Sequence, residues 1–135
     1  MSTSGKILTQ QFVSRLAQQF QDDEEALRMK FDREGTAMNN QHSVDREARK
    51  EQFGALIADF NTLQVNPASG SYEFSVAREA MCTAYQMAEE QRKANLKREL
   101  ARLQQRYAQE RDELEASHLQ AITAITQAQN GMDRD

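Results

Sequence analysis

His42 and His118 are the only histidines in the chain, and Cys82 is the only cysteine. A bound metal needs three or four such ligands converging on one point. A nucleophilic thiol needs a neighbouring base or a helix N-terminus. If the chain folds back on itself near its midpoint, the two histidines stand ~37 Å apart along the axis. They can then not share a metal, and neither of them comes close to Cys82. Both occupy positions in an apolar repeat, where an imidazole packs rather than ligates. Cys82 lies between Met81 and Thr83 in an Ala-rich stretch and reads as a small apolar filler. No metal and no cofactor is expected.

The carboxylates give a second candidate chemistry. Asp22-Asp23-Glu24-Glu25 form one acidic turn, and Glu110, Asp112, Glu113 and Glu115 form another, with Arg111 between them. Acid–base catalysis needs two carboxyls held in a pocket with displaced pKa values. A run on a single helical turn instead points all around the helix and reads as a solvated face. The calcium-loop spacing and its glycine are absent.

Arg98, Arg102 and Arg106 recur every four residues and, with Lys93 and Lys97, form a basic mid-section. Such a stripe could contact phosphates, but no aromatic residues interleave with it for base stacking. The net charge is −4, against the basic balance of a nucleic-acid binder. The three arginines are therefore read as candidate electrostatic contacts for a protein partner, and nucleic acid is not expected. There is no phosphate-binding glycine loop, no His-Glu-x-x-His and no paired cysteine. The chain is expected not to be an enzyme.

What must position these residues is helix. The 135 residues include one Pro, five Gly and no Trp, with 39% hydrophobic and 28% charged residues. That composition suits long two-faced helices burying a narrow stripe rather than a turn-rich sheet fold. The only Pro falls in Gln64-Val65-Asn66-Pro67-Ala68-Ser69-Gly70-Ser71, and Ser71 can cap a new helix at Tyr72. The first arm is expected over about 6–64, the turn over 64–71 and the second arm over about 72–129. The whole chain reads as one helical unit.

Apolar residues in both arms follow alternating steps of four and seven. Leu16 and Phe20, Leu27 and Phe31, Met38 and His42, then Arg49 and Phe53 mark the first arm. Met81 and Tyr85, Arg92 and Leu96, Leu103 and Tyr107, Leu114 and His118 mark the second. An eleven-residue repeat means about 3.67 residues per turn, hence straight or slightly right-handed supercoiled helices. Helix propensity falls over Gly35 to Ser43, and a break there giving three helices is the alternative. The expected fold is all-α, a long antiparallel hairpin. Partners across it should have numbers summing to about 135, with Phe53 opposite Cys82, Leu16 opposite Leu119 and Val13 opposite Ile122.

Two helices alone leave much apolar surface uncovered. Near the turn, Phe53, Leu56, Phe60 and Leu63 are assigned to the seam, with Ile57 ~80° away from them. On the second arm Val76, Ala80 and Met87 form a stripe ~125° from the seam. Ile57, Val76, Ala80 and Met87 are the candidate partner-binding residues.

The plan of two near-equal helices around a Pro-containing turn resembles the stalk proteins of flagellar and type III export machines, and small virion and adaptor proteins. That likeness of architecture implies an oligomeric building block or adaptor that binds itself and other proteins. The alternative is a small acidic regulator or inhibitor that masks a site on another protein. No signal peptide or membrane-spanning segment is evident, so a soluble protein is expected, cytoplasmic or within a virion- or secretion-type assembly.

Overall fold

The computed structural model describes residues 3–63 and 72–134, and all of them are helical. Helix α1 spans Thr3–Leu63 and helix α2 spans Tyr72–Arg134. Each reaches a few residues further from the 64–71 segment than the repeat alone suggests. The expected turn, with Pro67 and the Ser71 cap, lies outside the described residues.

α1 runs unbroken through Gly35–Ser43, so the three-helix alternative does not apply. The glycine, threonine and asparagines there cost a helix a few tenths to about 1 kcal/mol each. Packing outweighs this because Met38 and His42 keep the repeat in phase and are half-buried against α2.

The two helices pack as an antiparallel hairpin that divides into two compact units. The first comprises residues 1–34 and 102–135, the second 35–101. In the first unit the core is a ladder of ring contacts. Phe20 stacks on His118 with centroids 4.8 Å apart, and the edge of Phe31 meets Tyr107 at 5.4 Å. Phe31 and Leu103 are each only 6% exposed, the most enclosed apolar side chains among the described residues. In the second unit Phe53 lies flat on Tyr85 at 4.3 Å and 5° between planes, and Phe60 meets Phe74 at 5.4 Å.

Burial follows the eleven-residue repeat. In α1, Leu16, Leu27, Met38, Arg49 and Phe60 are half-buried, as are Phe20, His42 and Phe53 around the buried Phe31. In α2, Phe74, Tyr85, Leu96, Tyr107 and His118 are half-buried at the same interval. Eleven residues complete three turns, so every third turn returns a side chain to the seam.

The pairing number needs correction. The pairs 20/118, 31/107 and 53/85 each sum to 138, three more than expected, whereas Phe60 and Phe74 sum to 134, as expected. Phe53 faces Tyr85 rather than Cys82, and Leu119 is exposed rather than opposite Leu16. The physical reason is layer matching. A sum of 135 sets Phe31 against Gln104, whereas 138 sets ring against ring and gains offset-stacked or edge contacts worth about 0.5–1.5 kcal/mol each.

Candidate functional site

The second unit carries charge inside its seam. Arg49 and Arg92 occupy repeat positions that elsewhere hold apolar side chains. Arg49 Nε donates to Glu89 Oε1 at 2.7 Å and its Nη2 to Oε2 at 3.3 Å, while Arg92 Nη1 donates to Oε1 at 2.7 Å. Glu89 is only 12% exposed at its side chain. The bond from Arg49 holds its carboxyl below the ordinary value; burial opposes this, and Arg92 adds to the lowering. The same bond raises the Arg49 guanidinium. Met38, Gln41, His42, Asp45, Arg49, Arg92, Asn95, Leu96 and Glu99 line an adjoining open groove of about 310 Å³. Glu89 is missed by periodicity alone because it lies beside the stripe. It is nonetheless legible once the register is known, since 49 and 89 also sum to 138.

An ion pair enclosed in an apolar seam does more to select one register than to add stability, because any slip leaves a charge without its partner. Glu89→Gln keeps the shape and removes the charge. At neutral pH it should lower the melting temperature by roughly 3–6 °C. The folded carboxyl titrates below its ordinary value near 4.5. Its stabilisation is therefore complete above the unfolded value and fades as pH falls through the folded one. Thermal melts should show the gap between wild type and variant full at neutral pH and closing as pH falls below the ordinary carboxylate value. A gap of equal size at neutral and acid pH would refute the ionised pair.

The candidate partner-binding residues separate into two groups. Val76, Ala80 and Met87 are exposed, as the stripe requires. Ile57 is not on that surface: it is half-buried, while Leu56 and Leu63, assigned to the seam, are exposed. A spacing of 53, 56, 60 and 63 is a heptad-like pattern. At 3.67 residues per turn that pattern drifts off the seam, and position 57 replaces it.

Of the three arginines, Arg98 belongs to the second unit and Arg102 and Arg106 to the first. All are exposed. Arg106 already has partners within its own unit. It donates to the Glu34 carboxylate, and its guanidinium carbon sits 5.1 Å from the centre of the Phe31 ring. It thus lids the most enclosed layer of the seam through a cation–π contact.

His118 is held by its stack on Phe20 in the first unit, and His42 lines the groove of the second. Among the described residues no three His, Cys, Asp or Glu side chains converge as a metal site. Cys82 is a half-buried free thiol. Among the described residues no helix is long and apolar enough to cross a membrane. Comparison with protein-family models, with curated proteins and with solved structures finds no match.

Proposed function

We propose that this chain is a non-enzymatic helical-hairpin building block or adaptor that works by assembling with copies of itself and with other proteins, in the manner of an export-stalk or virion component. One observation carries the reading. The chain exposes 10179 Å². A self-sufficient folded monomer of its 15.5 kDa exposes about 7,200 Å². The surplus of about 3,000 Å² is the scale of a large protein–protein interface. It agrees with a core in which only Phe31 and Leu103, among the described apolar side chains, fall below a tenth exposed. The groove beside His42 is open, unlike the enclosed pocket that a small substrate needs.

A second reading, an acidic regulator that masks another protein, draws on the first unit. Its residues include twelve acidic against nine basic side chains, net −3.

Assembly couples folding to concentration, so the melting temperature of the purified chain should rise by several degrees over a hundredfold increase in concentration. Light scattering should give a mass of two or more chains. A 15.5-kDa species whose melting is independent of concentration would overturn self-assembly and favour the regulator.

A further inference from the structure

The exposed charges of the second unit sort by sign onto its two flanks. With eleven residues to three turns, a residue's number gives its angle from the seam. On α1, Asp45 stands ~50° to one side, and Arg46 and Lys50 stand ~50° and ~80° to the other. On α2, Glu99 stands ~50° off in the sense of Asp45, and Lys93 and Lys97 ~80° and ~115° off in the sense of Arg46. Antiparallel helices turn in opposite senses when viewed from one end, so steps of equal sign share a flank. The groove shows this directly, since Gln41 and Asp45 of α1 line it together with Asn95 and Glu99 of α2. Nearer the turn, Asp59 and Glu73 fall on the acidic flank and Arg78 on the basic one by the same steps. All nine charged residues are exposed. The other charges of the unit do not mix the signs. Arg49, Arg92 and Glu89 satisfy one another in the seam. Glu47, Glu51, Glu79, Glu90 and Arg98 lie on the outer sides of the helices. Among the described residues Lys50, Arg78, Lys93, Lys97 and Glu99 form no ion pair within the chain.

We propose that the acidic flank of this unit docks on the basic flank of a second copy, side by side and pointing the same way. The inference rests on the assembly reading above and names its surfaces. Charge complementarity selects a copy as the occupant, because one unit carries both halves of the match. Their levels agree as well. The register that pairs Phe53 with Tyr85 sets Lys93 level with position 45 of α1, Lys97 with 41 and Glu99 with 39. The carboxylates of Asp45 and Glu99 and the cations of Arg46, Lys50, Lys93 and Lys97 therefore occupy the same stretch of the unit. A neighbour displaced sideways without sliding brings its lysines to the groove between Asp45 and Glu99. Lysine stems can lie along Met38 and Leu96 there while the ammonium groups reach the carboxylates. The guanidiniums of Arg49 and Arg92, which also line the groove, are held by Glu89 and leave those carboxylates to the neighbour. A two-fold pairing of like flanks would set acid on acid or base on base. The favoured contact is instead heterologous, so copies add in one direction and close into a ring or continue as a helical array.

The test uses the full chain in sedimentation and light scattering. The wild-type chain should associate beyond a dimer, and its mass should fall as salt screens the flanks. Lys93→Glu with Lys97→Glu turns the basic flank acidic, and Asp45→Lys with Glu99→Lys turns the acidic flank basic. Each double variant alone should raise the dissociation constant at least about tenfold, with helicity by circular dichroism unchanged. Mixing the two should restore association, because each variant then offers the charge that the other lacks. Glu51→Lys, on the outer side of α1, should leave association unchanged. Double variants with wild-type mass would overturn these flanks while leaving assembly standing. Loss of mass with no rescue on mixing would overturn the pairing of one flank with the other. A closed dimer as the sole species would overturn the heterologous contact. A wild-type chain that stays monomeric at low salt would overturn the assembly reading itself.

Discussion

Phe31→Ala should lower the melting temperature by about 10 °C or more, and Phe12→Ala by no more than about 2 °C, although both remove the same side chain. Phe31 is 6% exposed, set edge-on to Tyr107 and covered by Arg106 and by Lys30, whose Nζ lies 5.4 Å from the ring centre. Truncating an enclosed Phe costs about 3–5 kcal/mol. The lower end applies here, because a two-helix seam lets solvent reach the cavity from its sides. Phe12 is already more than half exposed, with Arg15 5.8 Å from its ring centre. Differential scanning calorimetry decides the matter. Equal shifts for the two variants would mean that the Phe20, Phe31 and Phe53 ladder is not what holds the helices together.

A larger effect is expected from changing chain length. Removing residues 37–47 together with 91–101 deletes one repeat from each helix. Position 36 then joins 48 and position 90 joins 102, and both junctions keep the sum of 138. Three whole turns are lost from each helix, so every remaining seam residue keeps its angle. The shortened chain should stay helical and melt cooperatively. Removing ten residues from each arm instead, 37–46 with 92–101, rotates the seam by about 100° at each junction. That turns the stripes of one flank away from each other, and helicity should be largely lost at room temperature. Circular dichroism on the two deletions compares them directly. Equal helicity would show that the eleven-residue period has no structural role.

The period was legible because it recurs through both arms in residues of every type. His42, Arg49, Arg92 and His118 sit in it alongside Leu and Phe, so the position rather than the apolar character marks the seam. The same period places 57, not 56, in the seam, four repeats beyond Val13. The local cluster of Leu56, Phe60 and Leu63 obscured this because apolar content outvoted phase there. The Arg49–Glu89 bond was hidden for a different reason. A difference of three in the pairing number moves a cross-helix partner by almost one turn.

Sequence by itself determined that the described chain is helix and that two arms meet along a stripe of 3.67 residues per turn. These follow from propensity, phase and spacing, which are local properties. The tertiary structure decided the register, the residue that leaves the seam near 56 and 57, and the enclosed ion pair at Glu89. Those depend on competition between whole layers. Ring-on-ring stacking and a charge that must find its partner each discriminate between alignments that the periodicity alone leaves nearly equal.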